Sequence, residues 1–210
     1  MAGLPACFLD RDGVLNWMLW HDGEWDSPLG PEEVTLLPGV PEALRRLREV
    51  GLALVIVTNQ PAHAQGKAAL SRLQATQAEL ERQLAAEGVS FDGVYTCYHR
   101  AGYTAVPELN VDCDCRKPKP GLLLQAEKEL GLDLGRSFMV GDGRADIQAG
   151  QAAGCRTLLI QALTTRPTGL RARPNQWRAR PEVVVRDLAA AVEWIERTVQ
   201  KSECRMQNAE

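Results

Sequence analysis

Residues 6–16 read ACFLDRDGVLN, a short apolar run that ends in two aspartates and a glycine. An apolar run of this length, bounded by polar or turn residues, is typical of a strand buried on both faces of a parallel sheet. Runs of the same kind follow at 52–57, 93–97, 137–140, 157–160 and 183–185. The sequence therefore predicts a sheet of buried strands, with acidic residues directly after the first.

Helices are predicted between these runs, where apolar residues recur at spacings of three and four. The pattern covers residues 40–49, 68–86, 121–130, 145–153 and 188–199. The first four helices are each followed by a glycine that is expected to end them: Gly51, Gly88, Gly131 and Gly154. Because strand and helix alternate, the predicted fold class is α/β, a doubly wound parallel sheet with helices on both faces and no large cap domain.

Composition predicts one domain that binds a small ligand. The 210 residues are 45% hydrophobic and 24% charged, enough to bury one core. We expect a single domain over 1–200, with a metal-binding loop at 97–115 and a flexible tail at 201–210. The net charge of -3 offers no general attraction to nucleic acid or to an anionic membrane. A small phosphorylated metabolite is therefore the expected partner.

Location and assembly are expected to be simple. The N-terminus has no basic segment followed by a long apolar stretch, and no segment approaches the roughly 20 apolar residues of a membrane span. We therefore expect a cytoplasmic protein that does not contact the membrane. Nothing in the surface pattern demands a dimer, so a monomer is predicted.

Acidic residues cluster after the predicted strands, where ligands bind in open α/β sheets. Asp10 and Asp12 are two residues apart, so on a nearly extended chain both carboxylates lean to one side. One carboxylate could attack phosphorus while the other, if its pKa is raised, protonates the leaving oxygen. The alternative for an isolated pair is a turn with two solvated acids.

A third carboxylate, Asp142, follows the strand that ends at residue 140. Such a cluster would repel itself without a hard cation, so we predict bound Mg²⁺. Asp146 lies four residues further and either braces the site or serves as an ordinary acid in the first turn of a helix. Thr58 and Lys117 offer the hydrogen-bond donors that a phosphoryl group needs.

A second metal is predicted from Cys97, His99, Cys113 and Cys115. The members of each pair are two residues apart and face the same way on an extended chain, so two arms can close a tetrahedral site. Three thiolates and an imidazole suit Zn²⁺ and leave no open position for a catalytic water, so the zinc is expected to be structural. The alternative is a chance cluster of ordinary cysteines.

The chain resembles the haloacid dehalogenase-like (HAD-like) phosphatases in four ordered motifs. The motifs are FLDRDGVLN at 8–16, VTNQ at 57–60, CDCRKP at 113–118 and VGD at 140–142 followed by Asp146. Together they span residues 6 to about 160. Within that superfamily the chain is most similar to the zinc-containing branch that holds heptose bisphosphate and histidinol-phosphate phosphatases.

The resemblance implies a role for each matched position. Asp10 would be phosphorylated in a covalent intermediate, and Asp12 would act as general acid and base. Substrate would be bound by Thr58, Asn59, Arg116 and Lys117, with Arg116 meeting a second phosphate or a sugar hydroxyl. Mg²⁺ would be held by the Asp10 side chain, the Asp12 backbone carbonyl and Asp142.

The implied substrate is D-glycero-D-manno-heptose 1,7-bisphosphate, hydrolysed to the 1-phosphate. The second motif departs from the heptose pattern, since Gln65 stands where those enzymes carry arginine. Histidinol phosphate or another sugar phosphate is therefore the alternative substrate. A non-catalytic, zinc-stapled binding module is the alternative from another functional class.

Two further features have open interpretations. Trp17, Trp20 and Trp25 follow Gly13 and either pack the loop there or form a wall of the substrate entrance. The stretch 166–181 is rich in arginine and proline and is either a solvated loop or a rim that attracts a doubly anionic substrate.

Overall fold

The computed structural model describes residues 3–102, 104–161 and 179–207. The strands are β1 (Ala6–Leu9), β2 (Leu19–His21), β3 (Glu24–Asp26), β4 (Ala53–Asn59), β5 (Gly93–Cys97), β6 (Phe138–Gly141), β7 (Arg156–Ile160) and β8 (Val183–Val185). The helices are α1 (Val40–Glu49), α2 (Leu70–Ala86), α3 (Gly121–Leu130), α4 (Arg144–Ala152) and α5 (Leu188–Gln207). Short 3-10 helices lie at Pro31–Glu33, Pro107–Leu109 and Leu134–Arg136.

The main sheet has the order β5-β4-β1-β6-β7-β8. Every neighbouring pair in it is parallel, which confirms the predicted doubly wound α/β class. After β1 the chain builds one side of the sheet and then returns to build the other, so the winding reverses beside β1. A reversal of this kind opens a crevice at the carboxyl ends of the strands, and the residues that follow β1, β4 and β6 meet there.

Two apolar cores cover the two faces of the sheet, because successive strand residues point to opposite sides. On one face Leu9, Ile56 and Val140 pack with residues of α1, α2 and α5. On the other, Phe8 and Val57 pack with residues of α3 and α4. The sheet is thus the middle layer of three, and its carboxyl edge is left for the polar residues.

The predicted boundaries agree with the structure to within two residues, except at the last helix. Each glycine expected to end a helix has a positive φ angle: Gly51, Gly88, Gly131 and Gly154. Helix α5 continues past the predicted residue 199 to Gln207, into most of the segment that was expected to be a flexible tail. The described helices include none that is long and apolar enough to cross a bilayer.

A hairpin in a segment that was expected to be a loop follows β1. Strands β2 and β3 pair antiparallel around Asp22 and Gly23, which have φ angles of 47° and 89°. Asp-Gly is the usual signal of such a turn, but strands of three residues are too short to show an alternating pattern. Trp20 and Trp25 pack edge to face across the hairpin with ring centroids 5.3 Å apart, and Trp20 stays 59% exposed.

The arginine-rich stretch is only partly within the description. Arg166, Arg171, Arg173 and Arg178 lie outside the described residues. Arg180 lies inside them and is exposed. The hypothesis of a basic rim stays a prediction.

Candidate active site

A cleft of about 210 Å³ opens at the carboxyl edge of the sheet. Its lining combines residues at the ends of β1, β4 and β6, two residues that flank the β2–β3 hairpin, the start of α4 and the loop before α3: Asp10, Asp12, Met18, Ser27, Asn59, Lys117, Asp142, Gly143, Ala145 and Asp146. The fold therefore brings together acidic and basic residues that are more than 100 positions apart in the sequence.

Lys117 is the buried cation of this cleft. Its Nζ lies 2.9 Å from Asp10 Oδ1 and 2.6 Å from Asp146 Oδ1, and it donates a hydrogen bond of 2.8 Å to the carbonyl of Val57. Burial by itself would lower the pKa of Lys117, but the carboxylates of Asp10 and Asp146 raise it above its ordinary value. The ammonium group is therefore charged and held beside the first aspartate.

Asp146 fills both roles that the sequence left open. Its Oδ2 accepts a hydrogen bond of 2.9 Å from the backbone N–H of Gly143, which places it as an acid in the first turn of α4. Its Oδ1 meets Lys117. Asp146 is 3% exposed and links the first turn of α4 to Lys117, so it helps to hold the lysine in place.

Asp12 is enclosed by hydrogen-bond donors. Arg11 donates to both carboxylate oxygens at 3.2 Å, and Asn16 Nδ2 donates to Oδ1 at 2.9 Å. Ser27 Oγ and Gln60 Nε2 donate to Oδ2 at 2.8 and 2.6 Å. Five donors fill the lone pairs of one carboxylate, which fixes its rotamer.

The surroundings of Asp10 and Asp12 shift the pKa values of the two aspartates in opposite directions. Burial, followed by the carboxylate of Asp146, raises the pKa of Asp10 to about 8, and Lys117 opposes the shift. Burial also favours the neutral form of Asp12, but the guanidinium of Arg11 and the donors around it outweigh this and lower the pKa of Asp12. The raised pKa that was expected for a general acid is therefore not found at Asp12 in this arrangement.

Asn59 positions Lys117, and its predicted role in substrate binding stays a prediction. Its Nδ2 donates to the backbone carbonyl of Lys117 at 3.0 Å, and its Oδ1 accepts from the Lys117 N–H at 3.1 Å. The Asn59 amide thus clamps the peptide of Lys117, which precedes a cis bond to Pro118. Asn59 lines the cleft as well, but its hydrogen bonds hold the lysine in place.

The other two predicted substrate-binding residues lie close to the cleft. Thr58 is 1% exposed, and its Oγ1 accepts a hydrogen bond of 2.9 Å from Gln60 Nε2. Arg116 donates to the backbone carbonyl of His99 at 3.1 Å. Neither belongs to the lining of the cleft among the described residues, so their contact with substrate stays a prediction.

The predicted zinc ligands converge on one point. The set consists of Cys97, His99, Cys113 and Cys115. The three sulfur atoms lie 3.1 to 3.6 Å apart, and His99 Nδ1 lies 3.3 Å from Cys115 Sγ. Tetrahedral zinc with Zn–S bonds of about 2.3 Å would separate its sulfur ligands by about 3.8 Å. The four side chains could therefore hold Zn²⁺ after a small outward adjustment.

The cysteine cluster touches the cleft through the backbone. Cys97 is in register with Asn59 on the neighbouring strand, and its carbonyl accepts a hydrogen bond of 2.7 Å from the N–H of Gln60. On the other arm, Lys117 follows Cys115 by two residues. The cluster therefore fixes two segments that supply site residues.

Comparison with known proteins identifies the family. The HAD-hydrolase-like family model matches residues 114–191. The D-glycero-beta-D-manno-heptose-1,7-bisphosphate 7-phosphatase of Yersinia pestis is 40% identical over 157 residues, which are 75% of this chain and 80% of that protein. The enzyme of the same name from Escherichia coli K12 is 39% identical over 75% of this chain and 78% of that protein. The chain belongs to the haloacid dehalogenase-like phosphatases.

Solved structures of HAD-like phosphatases have the same fold. One from Mesorhizobium loti superposes with a TM-score of 0.73 at 33% identity, covering 93% of this chain and 88% of that one. The D,D-heptose 1,7-bisphosphate phosphatase of B. bronchiseptica, solved with magnesium and phosphate, gives 0.70 at 30% identity, covering 93% and 99%. The structural similarity therefore extends beyond the motifs to almost the whole chain.

The cleft of this phosphatase suits a divalent cation. Asp10, Asp142 and Asp146 bring carboxylate oxygens within 4.8 Å of one another, and Lys117 supplies one compensating charge inside the cleft. Burial and the neighbouring carboxylates disfavour the ionised form of Asp10 and raise its pKa. A hard cation among the oxygens would keep Asp10 ionised, so the residues fit Mg²⁺.

Several residues of the phosphatase site were not predicted. Arg11, Asn16 and Gln60 lie inside the quoted motifs and could have been found by asking what holds Asp12. Ser27 lies 15 residues from Asp12, beyond a hairpin, and no local pattern points to it. Its position depends on how the hairpin returns the chain to Asp12.

Proposed function

We propose that this phosphatase removes the 7-phosphate of D-glycero-beta-D-manno-heptose 1,7-bisphosphate and leaves the 1-phosphate. The reaction is the one in the names of the relatives that are about 40% identical to it. The observation that carries the proposal is the buried ion pair of 2.9 Å between Lys117 and Asp10 at the floor of the cleft. It holds a carboxylate and a phosphate-binding cation side by side.

In the first half of the reaction, an oxygen of Asp10 attacks phosphorus. A bond forms between that oxygen and phosphorus, and the bond from phosphorus to the ester oxygen breaks. The electron pair stays on the leaving sugar oxygen, which takes a proton from Asp12, so this half requires the protonated form of Asp12. Lys117 and the hydroxyl of Thr58 stabilise the negative charge on the phosphoryl oxygens.

In the second half, water attacks the phosphorylated Asp10. Asp12, now ionised, takes a proton from that water, and inorganic phosphate leaves with Asp10 restored. The lowered pKa of Asp12 favours the ionised form that this second half requires. The donors around its carboxylate hold the ionised form of Asp12 in one orientation.

Two metals belong to the proposal. Asp10, the backbone carbonyl of Asp12 and Asp142 would hold Mg²⁺, which supplies positive charge to the phosphoryl group when bound. Zn²⁺ would be held by the four-residue cluster around Cys97 as a structural ion. A cytoplasmic location and a monomeric state stay predictions from the sequence.

A second substrate is favoured by one sequence feature. Gln65 replaces the arginine of the heptose pattern in the loop after β4. An amide binds a phosphate or a hydroxyl less strongly than a guanidinium does. Histidinol phosphate or another sugar phosphate is therefore the second candidate.

The experiment is phosphate release by the zinc-loaded protein with Mg²⁺ on both anomers of heptose 1,7-bisphosphate, histidinol phosphate and other sugar phosphates. The Asp10→Asn variant is the control, since it keeps the shape of the side chain but removes the nucleophile. We expect turnover of a heptose bisphosphate that falls by at least about 10³-fold in the variant. If only another ester were hydrolysed, that ester would replace heptose bisphosphate as the proposed substrate. Binding without turnover would support a zinc-stapled binding module instead.

A further inference from the structure

Gln60 joins two groups of the proposed reaction through a single amide. It is 1% exposed, and its Nε2 donates 2.6 Å to Asp12 Oδ2 and 2.9 Å to Thr58 Oγ1. Its backbone N–H is itself fixed by the carbonyl of Cys97 at 2.7 Å. Gln60 is thus held by the strand that carries a zinc ligand and holds both Asp12 and Thr58.

The chemistry of an amide suits this double contact. The NH₂ group has two hydrogens, so both hydrogen bonds form at once. Its orientation is set by its neighbours, because a carbonyl oxygen turned toward the Asp12 carboxylate would place two acceptors face to face. Thr58 accepts from Gln60, which leaves the hydroxyl proton of Thr58 to be donated to another acceptor, as a phosphoryl oxygen requires.

We infer that Gln60 is a positioning residue that aims Asp12 at the leaving-group oxygen. The inference rests on the proposed function. Gln60 is absent from the described lining of the cleft, so it acts through Asp12. Ser27 Oγ, in the segment that follows β3, donates to the same Asp12 oxygen at 2.8 Å. The two donors together fix the orientation of the Asp12 carboxyl group.

Positioning of a proton donor has a signature that a structural role does not have. When the ester bond breaks, an alkoxide leaving group needs the proton from Asp12, whereas a nitrophenolate leaves without one. The ratio kcat/KM reports the steps up to the first irreversible one, the transfer of the phosphoryl group to Asp10. A misaimed Asp12 therefore lowers kcat/KM for alkyl esters far more than for p-nitrophenyl phosphate.

The test compares Gln60→Met with the wild-type enzyme, loaded with Zn²⁺ and Mg²⁺, on a sugar phosphate and on p-nitrophenyl phosphate. Methionine keeps the length of the side chain and removes both donors. We expect kcat/KM for the sugar phosphate to fall about 10- to 100-fold, mainly through kcat, and the value for p-nitrophenyl phosphate to change by less than about threefold. Ser27→Ala, a smaller change at a half-buried residue, is expected to give the same pattern with a smaller loss.

Ser137→Ala is the matched control for lost stability. Ser137 is fully buried at the opposite end of the sheet, and its hydroxyl bonds the Ala6 N–H at 2.8 Å. Any loss it causes should be equal for both esters. If Gln60→Met and Ser27→Ala lowered kcat/KM equally for the two esters, or for neither, the positioning role alone would be overturned. Lack of turnover by the wild-type enzyme, or full turnover by Asp10→Asn, would overturn the proposed function and this role with it.

Discussion

Gly13 is a residue at which backbone conformation and metal binding are joined. Its φ angle is +83°, a region that residues with a Cβ rarely adopt. A Cβ at this position would stand 2.5 Å from Asp142 Oδ2. The missing side chain therefore lets the carboxylate of Asp142 approach the loop that carries Asp10 and Asp12.

Gly13→Ala separates these two effects when it is compared with Gly88→Ala. Gly88 has a φ of +76° at the end of α2, and an added Cβ there meets nothing within 4 Å. Both variants should lose about 1 kcal/mol of the free energy of unfolding, measured by urea titration, because both strain the backbone. Gly13→Ala alone should weaken Mg²⁺ activation by at least about tenfold, since it displaces Asp142. Equal Mg²⁺ activation in the two variants would contradict this reading of Gly13.

At the level of elements, two arms of the chain meet in the cysteine cluster and are thereby tied to the cleft. One arm is the end of β5, beside the end of β4, where Asn59 and Cys97 are in register. The other is the loop before α3, in which Gly121 N–H bonds the carbonyl of Asp114 at 3.1 Å. Lys117 lies in this second arm, and Asn59, beside the first arm, holds its backbone through two hydrogen bonds.

Cys113→Ser tests this coupling of the arms. The variant should lose its bound zinc, measured by metal analysis, and its melting temperature should fall, because metal binding contributes to folding. Phosphatase activity should fall at least about tenfold even in excess Mg²⁺, since Lys117 is no longer held in register with Asp10. Cys204→Ser, at an exposed position of α5, is the matched control and should change neither quantity. Full activity without zinc would show that the arms do not depend on the metal.

For the whole molecule, the site is a concentration of negative charge in a protein of modest overall charge. The net charge is -3, yet Asp10, Asp142 and Asp146 bring carboxylate oxygens within 4.8 Å of one another. Folding brings Asp10, which follows β1, next to Asp142 and Asp146, which follow β6. A cation that binds the gathered carboxylates should therefore stabilise the folded state and not the unfolded chain.

Mg²⁺ should raise the melting temperature of the zinc-loaded protein. At a free Mg²⁺ concentration about one hundred times its dissociation constant, binding should raise the free energy of unfolding by about 2.7 kcal/mol. For a chain of this size that corresponds to a rise of roughly 5 to 10 °C, measured by differential scanning fluorimetry. Asp142→Asn should remove most of the rise, because it deletes a carboxylate of the cluster. Arg46→Met is the control, because it breaks the ion pair between α1 and Glu196 of α5. It should lower the melting temperature without Mg²⁺ but leave the rise caused by Mg²⁺ unchanged.

The elements of the fold could be predicted because their signals are local. Apolar runs and three-and-four spacing placed the strands and helices of the main sheet to within two residues, apart from the end of α5. The β2–β3 hairpin was missed, since its strands have three residues each and its signal is the single pair Asp22-Gly23. Periodicity needs several turns or alternations before it rises above chance.

The sequence by itself determined the α/β class, the acidic residues at strand ends and the two sets of candidate metal ligands, because residue type and spacing along one chain specify them. Only the tertiary structure decided what surrounds Asp12, that Asn59 clamps Lys117 and that Asp146 contacts the same lysine. Those contacts join segments up to 58 residues apart. They follow from strand order and register, which no local pattern encodes, and they set the pKa values on which the proposed chemistry depends.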